Sequence, residues 1–305
     1  MSLACVLCGS KDITIKESIS VDELNARYEH AFGIQDALES NRLDYCVCAS
    51  CGLGFFNPME TAGEELYEHL QSFDWYYMTQ KYEYKIAEKY LPAEGGAVLE
   101  VGAGKAAFAN VVGAGRYTGL EFNDKAIQRA SEAGIRLIKQ SVEAHSSSGN
   151  MYDAVVSFQV LEHVRNPADF IRGCVACLKV GGCLIIGVPA GDGVFGRALN
   201  NILDMPPHHV TRWSEATLRN MAPSFGLDVL DIEYEPVAGY HQVAARKTIW
   251  EERLRRLLGM RHCLLDCSLL AKLVSKCSSL MARLFPISVW NLKGHTVVAV
   301  YRKVA

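Results

Sequence analysis

Ala97-Val-Leu-Glu-Val-Gly-Ala-Gly-Lys-Ala-Ala-Phe108 is the stretch that decides the fold. An apolar pair, Val98-Leu99, leads to a carboxylate at Glu100, and two alternating glycines, Gly102 and Gly104, follow at once. The pattern predicts a buried strand that delivers its C-terminal end into a tight turn. Glycine admits positive φ there and lets a ligand approach the backbone closely. A helix opening after the turn would present unpaired N–H groups, which favour anionic ligand groups. A nucleotide-like cofactor is the first expectation.

The glycines alone leave its identity open. Gly102, Gly104 and Ala107 satisfy the loose dinucleotide pattern G-x-G-x-x-G/A, and Glu121 lies near the distance expected of a ribose-binding acid. Glu100 argues the other way, because a carboxylate two residues before the first glycine repels a pyrophosphate and suits an ammonium group. Working outward, short strands are expected over residues 116–121, 135–139, 152–157 and 181–188, with helical stretches over 124–133 and 168–178. Alternation of this kind indicates a parallel sheet covered on both faces.

Glu100-x-Gly102-x-Gly104, Glu121, Asp153 and the run Phe158-Gln-Val-Leu-Glu-His-Val164 together resemble class I S-adenosylmethionine (SAM)-dependent methyltransferases. The likeness is nearest to the quinone-biosynthesis type and its relatives in sugar and polysaccharide pathways. It covers roughly residues 75–245, with a last strand expected over 294–301. Each motif is weak alone; their order and spacing make them specific. One departure is visible, since Ala106 stands where such loops commonly carry a third glycine.

The resemblance implies an α/β fold: a doubly wound, Rossmann-like, seven-stranded sheet with SAM as cofactor. Glu100 and the backbone around Gly102 and Gly104 would hold the methionine part. Glu121 would take the ribose hydroxyls, with Phe122 beside the adenine and Val142 and Glu143 along its border. Phe158 and Gln159 would close the pocket near the sulfonium. Core packing is the plain alternative for Phe122, Val142 and Phe158. It is a poor one for Glu100, because a buried acid needs a partner.

At 305 residues the chain can bury a large core, and one α/β domain with appendages fits better than two full domains. Its net charge of −3 gives no nucleic-acid footprint. Residues 1–9 lack a basic, apolar leader, and no run of about twenty uncharged apolar residues occurs. A cytoplasmic protein is expected.

Eleven cysteines then need an explanation other than disulfides. Cys5-Val-Leu-Cys8-Gly9 and Cys48-Ala-Ser-Cys51-Gly52 are two matched knuckles whose thiolates can point at one ion, which predicts a tetrahedral structural zinc site on Cys5, Cys8, Cys48 and Cys51. The long spacer predicts an inserted helical segment over residues 20–45. Cys46 is set aside because its spacing to Cys48 breaks the knuckle. With Gly52-Leu-Gly-Phe-Phe-Asn-Pro58, this module resembles the zinc-bearing segment of deoxysugar C-methyltransferases. Those are longer chains with a further C-terminal domain, so their substrate class does not transfer. Cys174-Val-Ala-Cys177 lies in an apolar pattern of helical spacing and is expected in the core, as are Cys183, Cys263, Cys267 and Cys277.

Methyl transfer to a hydroxyl asks for proximity and a base, and histidine titrates near neutrality. His163, after the fourth strand, and His209, in Met205-Pro-Pro-His-His-Val-Thr-Arg-Trp213, are the candidate catalytic bases; His208 is expected as a surface turn residue. Tyr76 and Tyr77 are candidates to cover the cofactor. Between Arg246 and Arg283, nine basic residues face three acidic ones. There Leu269, Leu270, Leu273, Val274, Cys277, Leu280, Met281 and Leu284 share one helical face, opposite Lys272, Lys276 and Arg283. The expected reading is an insertion packed on the domain or on a second copy. The alternative is an interfacial helix drawn to anionic lipid, a peripheral membrane contact.

The domain expectation is a zinc module over 1–60, a methyltransferase domain over 61–245 and 290–305, and a helical insertion over 246–289. The functional expectation is methyl transfer to a hydroxyl or carbon of a small molecule, sugar or glycan. The acidic net charge and the absence of basic-aromatic interleaving near the knuckles oppose a nucleic-acid methyltransferase. Glu100 and the Leu-Glu-His-Val run oppose a nicotinamide (NAD) oxidoreductase. A non-catalytic relative that binds SAM stays open.

Overall fold

The computed structural model describes residues 3–63, 66, 69, 81–93 and 95–304. Tyr76 and Tyr77 lie outside them. Strands Ile13–Ile19 (β1), Leu43–Cys48 (β2) and Gly54–Asn57 (β3) pair antiparallel in one sheet. Helix Val21–Phe32 (α1) fills the β1–β2 connection, so residues 20–45 are part helix and part strand. Ser20 starts α1 by accepting the Glu23 N–H at 3.3 Å, and Gly33 ends it at φ 70°.

The second sheet is built from Val98–Val101 (β4), Tyr117–Leu120 (β5), Leu137–Ile138 (β6), Tyr152–Phe158 (β7), Leu178–Pro189 (β8), Leu227–Pro236 (β10) and Lys293–Lys303 (β11). Thr211–Arg212, between β8 and β10 in sequence, is β9. The sheet order is β10-β11-β8-β7-β4-β5-β6. The central pairs are parallel, and β11 runs antiparallel to both neighbours. The chain starts at β4, winds outward through β5 and β6, then returns to β7 on the other side. Such a reversal opens a crevice at the carboxyl ends of β4 and β7, where ligands bind in doubly wound sheets.

Period-two alternation decides what each face covers. Leu99, Val101, Val155, Leu184 and Ile186 join a core with Phe170, Ile171, Cys174 and Cys177 of the segment around helix Pro167–Ala176, labelled α6 below. Val98, Ala154, Val156, Ile185 and Val298 face the other way, against Tyr84, Ile86 and Ala87 of helix Tyr82–Glu88 (α2). The remaining helices are Ala109–Val112 (α3), Asp124–Glu132 (α4), Val142–Ser146 (α5), Glu215–Met221 (α7), Gln242–Leu257 (α8) and Leu269–Leu284 (α9). Asn123, Ser141, Ser214 and Ser268 each cap the helix that follows through the side-chain oxygen.

Four expectations need correction. The segment after the glycine turn forms only the one-turn helix α3, because Gly113, at φ 89°, ends it at once. Its dipole gives an anion little. The expected third strand shrinks to Leu137–Ile138. Cys174 and Cys177 are buried as expected, yet Cys277 is exposed and Cys183, Cys263 and Cys267 are only partly buried. In α9 the buried face is Ala271, Val274, Ser278 and Ala282, and the helix packs on α8. Its leucines point outward.

The cysteine module is tied to the rest. β9 extends its sheet, with Phe55 opposite Thr211 and Gly54 opposite Arg212. Cys5, Cys46 and Phe55 share one core with Val101 and Trp213.

Candidate active site

Glu121 follows β5 and is engaged by three backbone amides. Its Oε2 accepts the Gly104 N–H at 2.7 Å, and its Oε1 accepts those of Phe122 at 2.8 Å and Asn123 at 2.9 Å. This carboxylate ties the glycine turn after β4 to the turn before α4. A carboxylate offers about four lone-pair sites, so a further donor fits on Oε2. Phe122 is 63 % exposed beside it, with its ring offered to solvent. Gly102 sits at φ 76°, and a Cβ there would lie 2.3 Å from Val160 Cγ2. Ala106 adopts φ 55°, a conformation in which glycine carries no side-chain penalty.

Glu100, buried in β4, receives a hydrogen bond from the Tyr117 hydroxyl. Burial pushes its pKa up to about 8, opposed by Tyr117 and by the charge of Lys81. The partner a buried acid requires is thus supplied within the protein. Asp153 lies at the opposite end of the sheet, where it accepts the Ala97 N–H at 2.9 Å and pairs with Lys179 at 2.9 Å. Val142 is buried at the start of α5 and Glu143 is exposed beside it. Phe158 is buried, its ring 5.2 Å from Tyr84 and 5.1 Å from Phe108. Gln159, at φ 57°, reaches toward Glu83 and Thr296.

Beyond Gln159, the turn Leu161–His163 carries Glu162 and His163. The segment before β9 brings His208 and His209 to it. Val210 N–H donates to the Glu162 carbonyl at 2.9 Å, and the Thr211 hydroxyl reaches the Leu161 carbonyl at 3.3 Å. The His163 ring centroid lies 4.6 Å from that of His208 and 4.8 Å from that of His209. His208 stacks on His209 at 4.4 Å. The expected surface turn residue His208 is buried. Burial lowers all three imidazole pKa values, His208 to about 4, so the rings are neutral at pH 7. Asp204 holds His209 Nδ1 at 3.1 Å and Arg212 at 2.9 Å. Glu162, Asp204 and Arg212 carry this cluster, and sequence reading assigned none of them a role. The acid beside His163 in Leu-Glu-His-Val was the available signal.

At the far end, Cys5 Sγ lies 3.6 Å from Cys51 Sγ and Cys8 Sγ 3.6 Å from Cys48 Sγ, all four within 4.8 Å of one another. A zinc ion with S ligands at about 2.3 Å has tetrahedral edges near 3.8 Å, so the four thiols fit it. Cys46 is buried and outside the cluster.

The Methyltransferase domain family matches residues 75–232, just over half of the chain. The chain belongs to this family. The methyltransferase domain is similar to the ubiquinone biosynthesis O-methyltransferases of Serratia proteamaculans, 33 % identical over 94 residues, and Vibrio vulnificus, 34 % over 97. These stretches are 28 % and 29 % of this chain and 39 % and 41 % of those proteins, so the chain spans about two-fifths of the relatives' length. Among solved structures, coclaurine N-methyltransferase bound to N-methylheliamine and SAH aligns with a TM-score of 0.47 at 13 % identity, covering 72 % of this chain and 69 % of that one. A SAM-dependent methyltransferase from Archaeoglobus fulgidus aligns with a TM-score of 0.45 at 15 % identity, covering 72 % and 94 %.

Proposed function

We propose that this methyltransferase domain binds SAM and transfers its methyl group to a hydroxyl of a small organic acceptor, with a sugar or glycan as one candidate class and carbon as the other acceptor atom. The observation that carries the reading is Glu121 bound to the Gly104 amide at the reversal point of the sheet, inside the family match.

Gly102 and Gly104 give the close backbone approach that the methionine part of the cofactor needs, and Glu121 offers its remaining lone pair to the ribose diol. Phe122 presents an aromatic face for the adenine, bordered by Val142 and Glu143. Phe158 and Gln159 wall the side toward the histidines, and Glu100, held by the Tyr117 hydroxyl, closes the buried end of β4. The bound sulfonium supplies an electrophilic methyl group whose C–S bond breaks as the bond to the acceptor forms. The protein's task is then to hold the acceptor in line and remove its proton. His163 and His209 stand at this edge as neutral imidazoles, and Asp204 orients His209. The same geometry in a protein that only binds SAM would give no transfer. Incubation with methyl-labelled SAM and panels of phenols, sugar nucleotides and lipid-linked glycans tests the reading. Label should enter one panel at a free hydroxyl; no label in any panel, with SAM bound, would leave a binding protein.

The four N-terminal cysteines are assigned to one structural zinc ion, supported by their sulfur spacing. The outer face of α9 is assigned to an anionic membrane surface. Leu269, Leu270, Leu273, Leu280 and Leu284 are between 47 % and 78 % exposed. Lys272, Lys276 and Arg283, expected opposite the leucines, are exposed on the same helix, which has no acidic residue. No described helix is long and apolar enough to cross a membrane.

A further inference from the structure

Three histidines and one glutamate at the carboxyl edge form an assembly of acceptors. His163 Nδ1 lies 2.6 Å from the His208 carbonyl oxygen, and His208 Nδ1 lies 2.8 Å from that of Leu203. His209 Nδ1 lies 3.1 Å from the Asp204 carboxylate. An oxygen acceptor at Nδ1 fixes the proton there, which makes Nε2 the lone-pair nitrogen of each neutral ring. Metal-ligating histidines are oriented in this way, by a carbonyl or carboxylate on the nitrogen that does not bind the ion. One ring nitrogen from each of the three residues lies within 4.8 Å of the others.

Glu162 supplies an independent observation. It is 1 % exposed, and among the described residues neither of its carboxylate oxygens has a hydrogen-bond partner. Its Oε1 lies 3.8 Å from His163 Nε2. A buried carboxylate with no hydrogen bond, beside a ring nitrogen of His163, is unfavourable unless it takes up a proton or a cation.

We propose that His163, His208, His209 and Glu162 bind one divalent first-row transition-metal ion, separate from the four-cysteine zinc site. Three imidazoles with one carboxylate suit zinc, iron(II) or cobalt(II) rather than magnesium or calcium. Nitrogen ligands at about 2.0–2.1 Å have tetrahedral edges near 3.3 Å, so the rings draw inward by about 1 Å on binding. The site stands on its own geometry; only its part in the reaction rests on the methyl-transfer reading. An ion that took the acceptor hydroxyl as a fifth ligand would polarise it, and the proton would leave to solvent before the C–O bond forms and the C–S bond breaks. The imidazoles then serve as ligands, since a lone pair on the ion is closed to a proton.

Cobalt(II) alone, titrated into the full chain stripped of metal under reducing conditions, is the test. Two equivalents should bind. One should carry sulfur-to-cobalt charge-transfer absorption, and the other should add ligand-field bands without it. Glu162→Gln, which keeps the side-chain volume, and His208→Ala should each weaken the second equivalent at least tenfold. The sulfur band, left intact, reports that the variant is folded. A single sulfur-type equivalent in the wild-type chain overturns the proposal without recourse to any variant. So does a second equivalent that both folded variants bind like the wild type, because the ion then sits elsewhere. Neither SAM nor an acceptor is present, so a failure here leaves the methyl-transfer reading intact, and failed methyl transfer leaves this site intact.

Discussion

In the proposed site a single carboxylate, Glu121, would serve fold and ligand together. It holds the amides of Gly104, Phe122 and Asn123, so the glycine turn would already have its ligand-binding shape before a ribose arrived. Hydrogen bonds to a charged group are worth about 1.5–3 kcal/mol, so Glu121→Ala should weaken SAM binding roughly ten- to a hundredfold. Unchanged affinity in a folded variant would remove Glu121 from the site. Gly102 has a different constraint. Its positive φ and the approach of Val160 leave no room for a Cβ, and Gly102→Ala should cost about 1–3 kcal/mol of stability. Urea denaturation reads this directly, and an unshifted midpoint would mean that the turn relaxes freely. At this scale the sequence was informative where backbone chemistry dictates residue type, as with glycine at Gly102 and an acid ending a strand at Glu121. It was silent on Glu162, whose neighbours Val210 and Thr211 come from more than forty residues away, and on Asp204, whose partners His209 and Arg212 are near in sequence but meet it only in a segment with no period to read.

Elements were legible where period and caps agree. β4, β7 and β8 announce themselves as apolar runs with turn residues before or after them, and α4 begins at the Asn123 cap. β10 was not foreseen, because Asp228, Asp231 and Glu233 interrupt its apolar pattern on a strand that is only partly buried. Helix α9 was foreseen with the wrong face inward. Periodicity reveals a leucine stripe but not which stripe meets the protein, and here the smaller residues Ala271, Val274, Ser278 and Ala282 do so. Leucines left outward beside Lys272, Lys276 and Arg283 should bind anionic liposomes, with attraction of about 1 kcal/mol per basic residue. Cosedimentation should be clear at low salt and fade as salt rises, since screening shortens the reach of these charges. Leu273→Glu with Leu280→Glu should abolish it. If the wild-type chain stays in the supernatant at low salt, a second copy of the chain becomes the better occupant for that face.

Across the whole molecule, the cysteine module and the histidine cluster share a frame. β3 pairs with β9, the Phe56 N–H donates to the Val210 carbonyl at 3.1 Å, and the Ala62 N–H donates to that of Pro207 at 2.8 Å. Arg212 of β9 pairs with Asp204 and lies over the Tyr45 ring of β2 at 5.7 Å. Small metal sites draw folding free energy from the ion, so loss of the proposed zinc should loosen the module and the segment bearing His208 and His209 with it. Cys8→Ser should release the zinc and raise amide exchange in residues 5–57 and around Val210, while the β4–β7 centre stays protected. Exchange confined to the N-terminal residues would show that the two regions are independent. No sequence pattern pointed to this link, because a two-residue strand such as Thr211–Arg212 has no period to read. The central claim, that the glycine turn and Glu121 hold SAM rather than a dinucleotide, is tested most directly by calorimetric titration of the full chain with SAM and, separately, with NAD+. Saturable binding of SAM at one site per chain, with no heat from NAD+, is the expected result; saturable binding of NAD+ with none of SAM would contradict the account.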